Sequence, residues 1–440
     1  MTAHPRSLRC GLLLLAAALV GGTTAGAALA SGPAGHGHGH HGGGHHGHGR
    51  KAALYVSPQG STGAADRNCH SAAYSTVQAA VDAAPSGGTV LVCRGTYTED
   101  AIVSTPLKLV GQRGAIIHGS DTANGNCDQL GPLGPGSAPC LAAITIKSSD
   151  VAVIGFTVTG ALGEGILATG SLQGGSIDHV MIRGNRVFGN DLGGIPPTKD
   201  SPYPQCVEQG EVPGDCGEGI HLMGVYDSVV SHNRITGNSG GVLLTDEFGP
   251  THDNLITHNV VTKNLYDCGI TAPGHNPHAL DANGNRQPTL GGVYDNVISH
   301  NRITGNGTSG EGAGVLFANA TAGTASYDNL VTHNYIAGNG LAGVTLHAHQ
   351  LASGQFEDLS GNRIVHNTIG TNNTGGDPDA GDTATTGVLV YGAVPVSVTI
   401  AHNRIRDDQY GIWLGTGANV SATMHHNVFH DVAVQVFTSP

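Results

Sequence analysis

His232-Asn233-Arg234-Ile235-Thr236-Gly237-Asn238 returns as His300-Asn301-Arg302-Ile303-Thr304-Gly305-Asn306. Shorter forms of the phrase stand at His258-Asn259-Val260-Val261, His333-Asn334-Tyr335-Ile336, His366-Asn367-Thr368-Ile369, His402-Asn403-Arg404-Ile405 and His426-Asn427-Val428-Phe429, and Gly184-Asn185-Arg186-Val187 opens the series. A unit this short cannot bury its own apolar side, so each copy must stack on its neighbours and the chain reads as a solenoid. The repeated asparagines then fall in register at ~4.8 Å per coil, where each amide can bond the next in an internal ladder. The histidines before them are expected to form a ladder on the surface.

A second signature aligns the coils, a glycine followed by alternating apolar residues: Gly165-Ile166, Gly219-Ile220, Gly241-Val242, Gly269-Ile270, Gly314-Val315, Gly343-Val344, Gly387-Val388 and Gly411-Ile412. The steps of 22 residues from Ile220 to Val242 and 24 from Val388 to Ile412 approximate a bare coil. Longer steps hold insertions at 195–215, 273–290, 320–326, 349–356 and 373–384. Solenoids tend to gather such loops on one side and bind with them.

Composition narrows the setting. Residues 1–30 read as a secretory signal, with Arg6 and Arg9 ahead of the apolar run Gly11 to Val20 and a small-residue cleavage site at Ala28-Leu29-Ala30. The net charge of the whole chain is -13, and -15 once Arg6 and Arg9 leave with the signal. Non-specific nucleic-acid binding is therefore not expected. No later stretch reaches the ~20 apolar residues of a membrane span, and the reading is of a secreted, extracellular, monomeric protein. Residues 31–51 form a Gly/His-rich linker in which His36, His38, His40, His41, His45, His46 and His48 can chelate Zn, Ni or Cu, or merely act as a neutral spacer.

The folded domain spans 52–440. It begins with the strand Leu54-Tyr55-Val56 and a short helix within Ser75 to Pro85, capped by a hydroxyl and ended by proline. Strands at Thr89 to Cys93 and Leu107 to Val110 follow, separated by Gly95-Thr96-Tyr97-Thr98-Glu99. The helix is expected to plug the raw edge of the first coil. Export permits disulfides, and Cys69 with Cys93, Cys127 with Cys140 and Cys206 with Cys216 are the pairs that close short loops. Cys268 is left over as a buried thiol.

The glycine and asparagine repeats, with Tyr74-Ser75-Thr76-Val77-Gln78-Ala79-Ala80-Val81 and Gly95-Thr96-Tyr97, resemble the pectate-lyase-like superfamily in its bacterial secreted branch. The resemblance covers residues 54 to 440. It implies an all-β fold, a single-stranded right-handed parallel β-helix with a short N-terminal capping helix. It also implies polysaccharide as partner, although the superfamily holds lyases, hydrolases, epimerases, esterases, adhesins and a periplasmic factor of copper-enzyme maturation.

Chemistry is expected where the coils stop being identical. With the Ile or Val after each glycine facing inward, the next residue and the one two further on face outward. That stripe carries His221, Thr271, Thr345 and Trp413, then Thr245, His347 and Tyr391, with Asp246, Glu247, His275 and His349 just beyond. β-Elimination on a polyuronate needs a base for the C5 proton and a cation or calcium for the carboxylate; hydrolysis needs two carboxyls. Asp246, Glu247, His275, His278, His347 and Tyr391 are the candidates for catalysis, and His221, His349 and Trp413 for holding sugar. His275-Asn276-Pro277-His278 resembles the Asp-Pro-His of alginate C5 epimerases, with asparagine in place of the acid. Asp377, Asp379 and Asp382 offer oxygen ligands for Ca²⁺ or a solvated acidic turn, and Glu164 and Glu218 precede equivalent glycines as a like-charge pair. The leading reading is a polysaccharide lyase or epimerase before a glycoside hydrolase. The alternatives are a non-catalytic glycan- or protein-binding surface or matrix protein, and an exported metal-handling factor resembling the copper-enzyme maturation proteins.

Overall fold

The computed structural model describes residues 53–120, 142–171, 175–190, 218–309, 312–319, 321–349, 351–377, 380–415 and 419–439, with only short backbone strands between 121 and 141. The signal, the His-rich linker, Asp379 and the pairs Cys127–Cys140 and Cys206–Cys216 lie outside the described side chains. Among the described residues, no helix is long and apolar enough to cross a membrane.

Three long parallel sheets wind into a β-helix. Among the described residues the first face has twelve strands and the second and third eleven each, and each strand bonds the equivalent strand of the next coil. One complete turn runs through Val229–Ser231 on the first face, Arg234–Thr236 on the second and Val242–Thr245 on the third. It closes through Thr251–His252, in a short fourth sheet of five strands that the repeat phrase does not announce. On that fourth sheet Tyr226, His252, Tyr294 and Tyr327 stack ring on ring at 4.7 to 5.0 Å.

The glycine register holds without a slip, from Ile166 through Ile220, Val242, Ile270, Val315, Val344 and Val388 to Ile412. These side chains join one continuous core with Ile182, Ile235, Ile256, Ile303 and Ile364. Burying each contributes about 1.5–3 kcal/mol. The signature glycine is required by space: a Cβ on Gly219 would sit 2.3 Å from Ile235 Cγ2 and 3.1 Å from the Gly241 carbonyl oxygen.

Asparagine ladders line the turns. Asn185, Asn233, Asn259, Asn301, Asn334, Asn367, Asn403 and Asn427 pass each Nδ2–H to the next Oδ1 at 3.0 to 3.1 Å. Each Oδ1 also accepts the backbone N–H of the preceding rung, as Asn259 does from Asn233 at 2.9 Å. The histidines before them are exposed and adopt positive φ. They form the expected outer stack, with centroids 4.7 to 5.2 Å apart from His232 to His426. A second ladder runs from Asn190 through Asn238, Asn264, Asn306 and Asn339 to Asn372, and a third through Asn254, Asn296, Asn329 and Asn362.

At the N-terminus the helix Val77–Ala83 is capped by Thr76, and Glu99 takes the Val77 and Gln78 N–H groups at 2.8 and 2.9 Å. Val77, Ala80 and Val81 are buried against the first coil as the plug expected. The segment read as a separator is itself a strand, Gly95–Thr98, whose buried Tyr97 hydroxyl donates to the Cys93 carbonyl at 2.9 Å. Cys69–Cys93 is a disulfide, and Cys268 is buried.

The second ladder ends on an acid, since Asn372 donates its backbone N–H to Asp408 Oδ1 at 3.1 Å. Burial pushes the Asp408 carboxyl up to about 8. A raised carboxyl penalises the fold as pH climbs from its ordinary value through 8. Asp408→Asn should therefore raise the unfolding free energy measured in urea at pH 9 by about 1–3 kcal/mol, for a buried polar group relieved of its charge, with the gain shrinking at pH 4.

Candidate functional site

The third face is where neighbouring coils differ. The insertions at 273–290, 320–326 and 349–356 leave its far edge, and 373–384 enters its near edge. Register pairs His221 with Leu243, Met223 with Thr245, Leu316 with Thr345, and His347 with both Ala318 and Tyr391. These side chains face away from the coil interior, as the alternation requires, but they do not line an open groove. His221, Thr245, Thr345 and His347 are 3% exposed or less. A second layer covers them: Phe248 packs on Leu167 and Met223, Leu341 on Leu316 and Ala318, and Ala380 against the Leu389 and Trp413 cluster.

Trp413 belongs to that cover. It is 7% exposed and packed edge-on to Tyr410 and Phe437 at 4.8 and 4.7 Å, so it is not the stacking platform expected from its strand position. Asp377 and Asp382 lie in the turn read as a candidate for Ca²⁺. Both are buried, and they accept N–H groups from Ala380 and Ala384 in their own turn at 3.1 and 3.2 Å. His278 stands exposed on a turn, its N–H donating to Asn276 Oδ1 at 3.0 Å.

Two clusters do assemble. In the first, His221 meets Glu164 Oε1 through Nδ1 at 3.3 Å and the Thr245 hydroxyl through Nε2 at 2.9 Å. Two residues beyond Thr245, Glu247 accepts from His275 Nδ1 at 2.6 Å. Burial alone would raise the Glu247 carboxyl. The positive His275 ring and its hydrogen bond, with His221 and the Thr245 side chain, overcome this and bring it down to about 2. Asp246 acts as a clasp, accepting the N–H groups of His275 at 2.6 Å, Asn276 at 3.0 Å and Gly292 at 2.5 Å, which tie the 273–292 segment to the coil. Burial still holds its carboxyl up at about 6.

In the second cluster His347 stacks on His349 at 4.5 Å and meets the Tyr391 ring edge-on at 4.8 Å. Burial, then the neighbouring His349, press His347 down to about 3, so its ring is neutral near pH 7. His349 Nδ1 lies 3.8 Å from Glu357 Oε2, whose carboxyl is raised by burial. Asn319 sits buried one position past the neighbour of His347, with both side-chain polar atoms unpartnered. The bridge Gly274–Asn319 carries the register past the strands, so Glu247 and His275 occupy equivalent positions in adjacent coils and His349 the same position two coils beyond His275. His275 and His349 are the two imidazoles that reach solvent, at 21% and 20% side-chain exposure.

Glu357 and Asn319 escaped the sequence reading. Asn319 lies one residue past a strand in the register of Asp246 and Ala348, a position that becomes legible only once the coils are aligned. Glu357 follows directly on the 349–356 insertion, where no period places it.

The acid limb of stability reports His347. A ring whose basicity is depressed in the fold makes the protein less stable as pH falls from about 6.5 toward 3, because only the unfolded chain takes the proton. Asp246 acts in the opposite sense below about 6, so the informative quantity is a difference. His347→Gln should flatten that limb relative to the parent in urea unfolding at pH 7, 5 and 4. Removal of His275 leaves Glu247 a buried anion without its cation; His275→Ala should cost about 3 kcal/mol, with much of the loss recovered in Glu247→Gln/His275→Ala.

A family model described as "Right handed beta helix region" matches residues 137–286. Among solved structures, the A-module of the Azotobacter vinelandii mannuronan C-5 epimerase AlgE4 is 16% identical over 82% of this chain and 94% of its own, at a TM-score of 0.52. An alginate lyase from Paenibacillus sp. str. FPU-7 is 13% identical over 80% and 96%, at 0.46, and the pectate lyase Pel9A is 14% identical over 85% and 79%, at 0.46. No curated protein matches the sequence. At these identities the likeness is one of fold.

Proposed function

We propose that this chain, a right-handed parallel β-helix protein of pectate-lyase-like fold, is an exported enzyme that abstracts the C5 proton of an acidic polysaccharide at the far edge of its third face. The observation that carries the reading is the Glu247–His275 pair at 2.6 Å, set in one row with His349. The mannuronan epimerase of similar fold points the same way, and so does the signal read in residues 1–30.

The geometry suits the electronics of C5 deprotonation. Removing that proton places negative charge on the uronate carboxylate, and a fixed cation must meet it. Protonated His275, hydrogen-bonded to Glu247, would supply that cation in a partly desolvated setting. His349, supported by Glu357 and two coils away at roughly 10 Å, and the half-buried Tyr391 stand as proton acceptor and donor on the sugar. In a lyase the C5 electron pair expels the C4 oxygen, which takes a proton as it leaves and yields an unsaturated uronate. In an epimerase a proton returns to C5 from the opposite face. Asp246, His221 and His347 are positioning residues, since they are buried and tied to neighbours.

The burial of His221, Thr245 and His347 favours a second reading, a glycan-binding surface without turnover. The test is incubation of the mature chain in D₂O with mannuronan, alginate, polygalacturonate and neutral glycans, reading unsaturated-uronate absorbance, reducing ends and deuterium at C5. Deuterium at C5 or new absorbance is expected with an acidic polymer, with kcat at least 100-fold lower in His275→Ala and unchanged in His278→Ala. Binding with neither signal would establish the second reading instead.

A further inference from the structure

The histidine ladder changes character at its last rung. From His232 to His366 each ladder imidazole stacks face to face on the next, and the residue before it is Ser231, Thr257, Ser299, Thr332 or Val365. Before His402 stands Ala401. Register then pairs Ala401 with His425, so the final coil alone places a second imidazole beside its ladder histidine, His426.

Stacked rings hold their lone pairs parallel, and a run of them does not enclose a point in space. His425 breaks that pattern, standing at 84° to His402 and 81° to His426, with centroids 5.2 and 5.4 Å away, while His402 and His426 remain stacked at 4.8 Å. Ring nitrogens of the three lie within 4.8 Å of one another, and all three side chains are exposed. Two nitrogens at about 2.0–2.1 Å from one ion are separated by at most ~4.2 Å. The three side chains are exposed, and binding requires their rings to rotate toward one point.

We infer that His402, His425 and His426 form a transition-metal site. Three neutral imidazoles and no carboxylate select borderline ions, Cu²⁺ above Ni²⁺ and Zn²⁺, over Ca²⁺ or Mg²⁺. The remaining coordination positions are left to water. His402 belongs to one coil and His425 and His426 to the next, so a bound ion clips the last described coil to the one beneath it. On that coil Met424, Val428 and Val436 are 37%, 51% and 40% exposed. An ion that binds only the folded chain stabilises it by mass action.

The experiment must silence the histidines of residues 36–48, which can bind the same ions. In the full mature chain with those seven changed to serine, titration with Zn²⁺ and with Cu²⁺ should show one site per chain, and saturating Zn²⁺ should raise Tm. His425→Ala in that background should weaken binding at least 10-fold and abolish the Tm rise. His232→Ala, at a rung preceded by Ser231, should do neither. Equal binding by the His425→Ala chain, an equal loss in His232→Ala, or no binding in the silenced parent would overturn the site. Should the serine background misfold, equilibrium dialysis of the unaltered chain decides the same point: His425→Ala must bind one ion fewer than its parent, and an equal count overturns the site.

Discussion

The amide of asparagine, passed from coil to coil, is the interaction on which this molecule depends. A parallel β-helix must turn its chain at every corner inside a tightly packed tube, and each turn buries backbone N–H and C=O groups that no strand can pair. An unsatisfied buried group costs about 1–3 kcal/mol. One Asn side chain accepts the N–H of the rung before it, donates to the amide of the rung after it, and donates again to a main-chain carbonyl, as Asn259 does to Val230 at 2.9 Å. The geometry works only at the spacing of hydrogen-bonded strands. The same spacing stacks the histidines outside, and it leaves no room for a Cβ at the signature glycines.

Uniform rungs make a stable column with no chemistry of its own; specialised groups arise where the rungs differ. On the third face the outward positions alternate between apolar residues that carry a second packed layer and polar residues held beneath it. Burial there sets the charge states. Glu247 stays ionised because His275 answers it, His347 stays neutral because burial and then His349 beside it disfavour a proton, and Asp246 is engaged by three backbone donors. Groups so constrained can be aimed at a substrate with little reorganisation, at the expense of stability in acid. Asp408 shows the same physics with the Asn372 N–H as its donor, a carboxylate standing where the other rungs hold an amide.

How much could be read beforehand follows from period. The glycine and asparagine positions, the inward Ile and Val residues, the outer histidines, the capping helix and the Cys69–Cys93 bridge were all legible, because each is a local or strictly repeating consequence of stacking. Glu247 and His275 were legible as candidates because both lie just past a strand whose register was known. The fourth sheet, Tyr226 to Tyr327, was not, since its two-residue strands vary from Thr251-His252 to Ser326-Tyr327 and carry no phrase.

Sequence by itself determined the solenoid, its register and which side chains leave the core, since alternation along a strand and repetition between coils are both one-dimensional rules. Only the tertiary structure decided whether a side chain that leaves the core meets solvent. Trp413 and His347 point outward by the same rule as a residue in an open groove, but Phe437 packs on the first and Tyr391 on the second, each from an adjoining coil. Those contacts join residues far apart in the chain, and no period encodes them. For the same reason His425 acquires its meaning only when the last coil sets it beside His402.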